Sequence, residues 1–144
     1  AVNRTSAEIA VILAPHGRDA AIAETTLAEG GLNSTSAKNL PELVKRLRAG
    51  AGFAVIVEEA VRHGDLRPLV QFLNDQEEWS DFPFIVLTAK GGGLERNPEA
   101  VRLLETLGNV TFLERPFHPV SLVSLARSAL RARRRQYEAR ARLE

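Results

Sequence analysis

The sequence predicts an α/β protein in which a parallel sheet is covered by helices on both faces. Five short apolar runs alternate with five helical patterns, and the connections between them are short. Strands joined through a helix in this way run parallel, with right-handed crossovers. A length of 144 residues suits a single domain that buries roughly two-thirds of its unfolded surface.

The strands are predicted from the apolar runs. Residues 53–57 are apolar throughout, which is typical of a strand buried on both faces. Residues 32–37 are only weakly apolar, so the second strand is predicted mainly from its place in the alternation. The other strands are predicted at residues 9–13, 82–87 and 110–113.

The helices are predicted over residues 18–29, 41–48, 66–73 and 98–107, and from residue 119 onward. Gly30-Gly31 is a stop signal for the first helix, and Asn39 is a suitable cap for the second. The third helix carries apolar residues at the i, i+3, i+4 and i+7 spacing of one helical face.

Composition excludes several classes of function. The chain has no cysteine, so disulfides, thiolate nucleophiles and cysteine metal sites are ruled out. Its apolar runs are far shorter than the ~20 residues that span a bilayer. Basic and acidic residues nearly balance, at 19 and 18, so no bulk charge points to nucleic acid. We expect a cytoplasmic protein with no membrane association and no cofactor.

The ends of the chain suggest trimming. The sequence contains no methionine and finishes with Leu143-Glu144, a pair typical of a cloning remnant. We therefore expect the natural protein to continue.

Distinctive residues follow four of the predicted strands. Ala14-Pro15 follows the first, Glu58-Glu59 the third, Thr88 the fourth and Arg115-Pro116 the fifth. The carboxyl ends of parallel strands meet at one edge of a sheet, where α/β proteins place their chemistry. These residues are therefore the candidate functional site.

The order and spacing of these positions resemble the receiver domain of bacterial two-component signalling. Ala14 and Glu58 are 44 residues apart, and Glu58 and Thr88 are 30 apart; the 27 residues from Thr88 to Arg115 are somewhat more than usual. The resemblance covers residues 7–130. It implies a flavodoxin-like (CheY-like) doubly wound sheet of five parallel strands in the order 2-1-3-4-5, here with an extended C-terminal helix.

The residue types depart from the family pattern. The resemblance implies an acidic pair that holds Mg²⁺ at Ala14 and Pro15, and neither residue has a carboxylate. Asp19 is expected to point elsewhere. Glu58 stands at the position of the phosphate-accepting aspartate, but its extra methylene displaces the carboxylate that phosphoryl transfer must position. We expect a degenerate receiver, or pseudo-receiver, with no metal and no catalytic residue.

Three further positions follow from the resemblance. Thr88 matches the residue that senses phosphate, although its hydroxyl could instead satisfy local backbone groups. Arg115 replaces the family's lysine, and we expect it to pair with Glu58. Alternatively, Glu58 and Glu59 form a solvated acidic strand end. Arg115-Pro116 is a candidate cis peptide bond.

Other features are predicted to be structural. Gly91-Gly92-Gly93 lacks the pattern of a phosphate-binding loop and is predicted to be mobile. The histidines His16, His63 and His118 are predicted to lie on the surface. Trp79 is predicted to pack at the end of the third helix, or to anchor a partner.

Positive charge is concentrated at the C-terminal end. Residues 127–144 hold seven arginines and two glutamates, a net charge of +5, whereas residues 1–126 carry −4. We predict a receiver-like domain over residues 1–130, followed by residues 131–144 as a projecting arginine-rich helix or coiled-coil linker to a missing output domain. A projecting helix is rarely stable alone, so Arg131, Arg134 and Tyr137 are predicted to contact a second copy or another protein.

These observations predict a non-enzymatic bacterial signalling module. It looks like the N-terminal domain of some sensor histidine kinases, and would regulate or dimerise a downstream histidine kinase. Its partners would be the transmitter region or a second copy, with no nucleic acid. The alternatives are an active phosphoacceptor receiver that uses Glu58 or Glu59, and a flavodoxin-like cofactor binder that uses the strand-end loops.

Overall fold

The computed structural model describes residues 7–62, 64–89 and 97–143. His63, the Gly91-Gly92-Gly93 loop and Glu144 lie outside the described residues. The strands are β1 (Ala10–Leu13), β2 (Ser34–Ala37), β3 (Phe53–Val57), β4 (Phe84–Thr88) and β5 (Val110–Glu114). The helices are α1 (Asp19–Glu29), α2 (Leu40–Ala49), α3 (Glu58–Arg62), α4 (Arg67–Asn74), α5 (Pro98–Leu107) and α6 (Pro119–Leu143).

The five strands form one parallel sheet in the order β2-β1-β3-β4-β5, so the predicted fold is confirmed. Strands β1, β3 and β4 are buried along their whole length, as their apolar sequences predict. Edge strands β2 and β5 are only partly buried.

The helices cover the two faces of the sheet. One face packs against α1 and α6 through side chains that include Leu27, Leu122 and Leu130. The other packs against α2, α4 and α5 through side chains that include Leu43 and Leu103. The two apolar layers enclose the sheet and hold its carboxyl edge in place.

Helix boundaries follow local signals. Helix α1 ends at Gly30, and the Asn39 side chain caps α2 by accepting a hydrogen bond from the Glu42 N–H at 2.9 Å, both as predicted. Helix α3 was not predicted. Glu58 begins this helix and is buried, with 1% exposure, so a solvated acidic strand end is wrong for Glu58.

Helix α6 runs unbroken through the predicted domain boundary at residue 130. Its 25 residues correspond to about 37 Å. Gly52 allows α6 to approach the sheet, because a Cβ there would lie 2.6 Å from a methyl group of Leu130. Side chains as far as Arg140 contact the rest of the domain, so packing continues beyond the predicted start of projection.

No helix in the described parts of the chain combines the length and the apolar character needed to cross a membrane.

Candidate functional site

The strand register brings the predicted site residues to one edge of the sheet. Leu13 is paired with Ile56, and Val57 with Leu87, so Ala14, Glu58 and Thr88 lie at neighbouring strand ends, with Thr88 as the last residue of β4. Arg115 follows β5 directly, and its backbone N–H donates to the Thr88 carbonyl at 2.9 Å. The Arg115-Pro116 peptide bond is cis.

Glu58 is enclosed by polar partners within the domain. Its Oε1 accepts a hydrogen bond from Asn97 Nδ2 at 2.6 Å and lies 3.3 Å from Arg62 Nη2. Arg62 is one helical turn further along α3, and Asn97 caps α5. The Glu58 side chain is therefore tied to two helices.

Arg115 contacts other carboxylates than the one predicted. Its Nη1 donates to Asp19 Oδ2 at 3.0 Å, and its Nη2 bonds Glu59 Oε1. Its Nε donates to the Thr88 carbonyl at 3.1 Å. The predicted pair of Arg115 with Glu58 is wrong, because Glu58 points inward to Arg62 while Glu59, the next residue of the helix, faces Arg115.

Asp19 also differs from its prediction. It is the first residue of α1, and its carboxylate points into the candidate site instead of away from it. Asp19, Glu59 and Arg115 form an ion triad at the edge of the sheet, with the Arg115 side chain 18% exposed.

The triad affects ionisation. Partial burial works against ionisation of Glu59, but the hydrogen bond and positive charge of Arg115 outweigh it and hold the pKa of the Glu59 carboxyl below its ordinary value. The hydrogen bond with Glu59 in turn raises the pKa of Arg115, with a smaller contribution from Asp19. Glu59 and Arg115 therefore keep each other charged.

The Thr88 hydroxyl lacks the local partners predicted for it. Thr88 is 1% exposed, and its Oγ1 has no hydrogen-bond partner among the described residues. Its carbonyl, by contrast, accepts two hydrogen bonds from Arg115. A buried hydroxyl without a partner is uncommon in folded proteins, so Thr88 places an unsatisfied polar group at the end of β4.

The residues present do not fit the Mg²⁺ that the receiver fold implies. Ala14 is buried and offers a methyl group, and Pro15 offers a ring. The two acids Asp19 and Glu59 are both already paired with Arg115. Across residues 7–62, 64–89 and 97–143, no three histidine, aspartate or glutamate side chains gather closely enough to hold a metal ion.

The predicted interaction residues lie on α6. Arg131 is exposed and bonds Ser128, whereas Arg134 pairs with Glu8 at 2.7 Å. Tyr137 packs on Trp79, with ring centroids 5.0 Å apart. Trp79 thus contacts α6, beyond the end of the third predicted helix. Among the histidines, His16 and His118 are exposed.

Sequence reasoning missed Asn97 and Arg62 as partners of Glu58. Asn97 precedes Pro98 at a predicted helix start, which is a capping signal, but nothing local shows that its other amide atom contacts β3–α3. Arg62 lies four residues after Glu58, a helical spacing that becomes informative only once α3 is known.

Neither a protein-family model nor a curated protein matches the chain. Solved structures do. Full-length FixJ from B. japonicum superposes with a TM-score of 0.72 and 22% identity over 93% of this chain, which spans 63% of that protein.

Two isolated receiver domains are also similar. The receiver domain of the Francisella response regulator 1452 gives a TM-score of 0.66 with 17% identity, covering 86% of this chain and 97% of that one. The beryllofluoride-activated NtrC4 receiver domain dimer gives 0.67 with 19% identity, covering 88% and 98%.

At identities of 22% or less, the likeness is one of fold. It agrees with the sheet order and with the strand-end positions described above. The chain has the fold of a response-regulator receiver domain.

Proposed function

We propose that the chain is a module of phosphorelay signalling that does not accept phosphate and acts through protein–protein contacts. The observation that carries the proposal is the state of Glu58. Its carboxylate is buried, and Asn97 and Arg62 already occupy Oε1. A phosphoacceptor must present an oxygen in line with the leaving group, and phosphoryl transfer depends chiefly on such positioning and on charge neutralisation.

The ion triad supports the same proposal. Arg115 places a permanent cation between Asp19 and Glu59, so each of these acids already has a partner within the chain. Ala14 and Pro15 add no metal ligand. The domain would hold one charge state rather than switch between two, and would not be an enzyme.

Helix α6 supports a role in protein contacts. It extends to Leu143, and its outer half exposes Arg131, Arg134 and Arg135. We propose that it leads into a linker, that residues 131–144 contact the transmitter region of a histidine kinase or a second copy, and that the whole protein is a cytoplasmic, bacterial sensor kinase. This role is tested by the gene sequence that follows Glu144, where a region other than a transmitter would contradict it.

An active receiver is the second candidate function. The Thr88 hydroxyl favours it, because this buried group lacks a partner among the described residues and a phosphoryl oxygen would supply one. The candidate needs Glu58 or Glu59 to leave its present partners.

Phosphate acceptance is tested by incubation with acetyl phosphate and Mg²⁺, followed by cold acid quench and intact-mass measurement. The expected result is no adduct, while an active receiver domain in the same mixture gains one phosphoryl group. An adduct that is lost in Glu58→Gln and kept in Glu59→Gln would establish the active receiver and overturn the proposal. The absorption spectrum of the purified protein tests the flavodoxin-like alternative, which requires a bound chromophore.

A further inference from the structure

A cluster of rings and arginines joins the segment between α4 and β4, residues 75–83, to the outer half of α6. The Arg133 guanidinium lies 5.1 Å from the ring centroid of Tyr137, 5.3 Å from that of Phe82 and 5.5 Å from that of Trp79. The Arg140 guanidinium lies 5.2 Å from the Trp79 ring. All these distances are within the range of cation–π attraction.

Arg133 is a buried cation at the centre of this cluster. Its exposure is 7%, and burial lowers the pKa of its guanidinium. None of the ion pairs among the described residues includes it. A buried cation with no carboxylate within ion-pair distance needs other compensation. Here the ring faces and the oxygens of Ser80 and Gln136, at 2.7 and 2.6 Å, provide it, with further support from Tyr137 and the more distant Asp81.

Gln136 adds a backbone connection. Its Oε1 accepts from the Asp81 N–H at 2.8 Å, and its Nε2 donates to the Asp81 carbonyl at 3.0 Å. One side-chain amide therefore pairs with both backbone groups of a single residue in the 75–83 segment.

The outer half of α6 depends on these contacts. Beyond Leu130, the side chains that contact the 75–83 segment are polar or aromatic, and they include Arg133, Gln136, Tyr137 and Arg140. An isolated helix of this length is marginal in water, and the like charges of Arg131 and Arg135, four residues apart, oppose it further. Each stabilising contact is individually weak.

We propose that this cluster is a releasable clasp, in which Trp79 holds residues 131–140 as folded helix and its displacement lets them melt. Clasped, α6 belongs to the domain as far as Arg140. Released, the helix ends near Leu130 and a following segment leaves the domain about 15 Å earlier. The clasp does not depend on whether the domain accepts phosphate.

Amide hydrogen exchange measured by mass spectrometry tests the clasp in Tyr137→Ala and Trp79→Ala. We expect peptides from residues 131–142 to exchange at least about tenfold faster than in the unmodified chain, while peptides from β3 keep their protection. Alanine is the best helix former, so faster exchange in Tyr137→Ala would reflect lost packing rather than lost helix propensity.

Glu138→Ala is the matched control, because Glu138 is the next residue of the same helix and is exposed. Its exchange should stay within about twofold of the unmodified chain. Unchanged exchange of residues 131–142 in both test variants would overturn the proposal, as would an unmodified chain that already lacks protection there. Should Trp79→Ala also lose protection in β3, Tyr137→Ala decides, because it leaves Phe82 and the core intact.

Fluorescence gives a second readout in a variant that keeps both rings. The chain has one tryptophan and one tyrosine, and these are the two in contact. Tyrosine emission should therefore be largely transferred to Trp79 in the clasped state. We expect tyrosine emission to rise severalfold in Gln136→Ala. Unchanged emission would count against the proposal that contacts with the 75–83 segment hold the outer half of α6.

Discussion

Arg115 sets the charge balance among the residues at the carboxyl edge of the sheet. Its planar guanidinium reaches Asp19, Glu59 and the Thr88 carbonyl at once. A lysine has a single ammonium and could not hold the same three acceptors in this geometry. Arg115 thus gives both Asp19 and Glu59 a partner within the chain.

Arg115→Ala should lower the free energy of unfolding at pH 7 by about 1–2 kcal/mol, because it leaves Asp19 and Glu59 facing each other without a cation. The half-exposed Glu59 accounts for less than about 1 kcal/mol of this after solvent screening. Urea unfolding at pH 7 measures the loss.

The loss should shrink in acid. The folded-state pKa of Glu59 is lowered from 4.5, so its stabilisation is complete above that value and disappears as the pH falls through the folded pKa. The difference in unfolding free energy between the two proteins should therefore narrow by the Glu59 contribution as the pH falls below 4.5. Arg115→Lys, which keeps the charge, should fall between them, and a pH-independent difference would contradict the ion triad.

Thr88→Val should leave the free energy of unfolding unchanged or raise it by up to about 1 kcal/mol. The hydroxyl has no partner among the described residues, so its removal sacrifices no bond and relieves a buried polar group. Thr88→Ser keeps the hydroxyl, deletes a buried methyl group and should cost about 1 kcal/mol. Thermal unfolding of both variants checks this, and a valine variant less stable than the serine variant would reveal a missing bond.

Residue positions at the site could be predicted from sequence, but their contacts could not. Strand ends show which residues reach the edge of the sheet, since that depends on local pattern. Which acid meets Arg115 depends on the direction of α3. Helix α3 begins at Glu58, which buries the Glu58 side chain and leaves Glu59 facing outward. No local sequence pattern predicts this short helix.

At the scale of elements, Asn97 connects two helices. Its side-chain oxygen accepts from the backbone N–H groups of Glu99 and Ala100, which caps α5, and its amide nitrogen donates to Glu58. Asn39 also caps a helix, α2, through one hydrogen bond from the Glu42 N–H. Comparison of the two asparagines therefore distinguishes the effect of capping from the effect of bonding the buried Glu58 carboxylate.

Asn97→Ala should therefore cost more stability than Asn39→Ala. Loss of a cap typically costs about 1 kcal/mol, which is the expectation for Asn39. Asn97→Ala should cost about 1–2 kcal/mol beyond that, because it also removes a donor from a buried carboxylate. Chemical denaturation measures both, and equal losses would mean that Asn97 serves only as a cap.

At the scale of the whole molecule, α6 serves two parts of the structure. Its first half completes the apolar layer over the sheet through Leu122, Ala126 and Leu130. Its second half meets the 75–83 segment through arginine and aromatic contacts. The second half is therefore held by contacts of a different kind from those of the core, and loss of those contacts leaves the apolar layer of the first half in place.

A chain that ends at Leu130 should lose about 2–3 kcal/mol of unfolding free energy, because Trp79 and Phe82 lose their ring and guanidinium contacts. Its tryptophan emission should shift to longer wavelength as Trp79 becomes solvated. Removal of residues 141–144 alone is the matched control and should change neither quantity. Unaltered stability of the shorter chain would show that these contacts contribute nothing.

The proposed homodimer through α6 predicts a change in mass. Sedimentation of the unmodified chain should give a dimer, and the chain ending at Leu130 a monomer. Inward-facing residues of the outer half already pack on their own domain, so the exposed arginines would have to form the contact with the second copy. A dimer that survives the truncation would place the contact on another face.

The sequence by itself determined the α/β class, the five strands and the residues at their ends, because alternating apolar runs report local burial. Together with the receiver resemblance, it also determined the sheet order. Only the tertiary structure decided that Arg115 meets Asp19, 96 residues away, and that Trp79 contacts α6. Such contacts depend on side-chain directions in elements distant along the chain, and no local pattern encodes them.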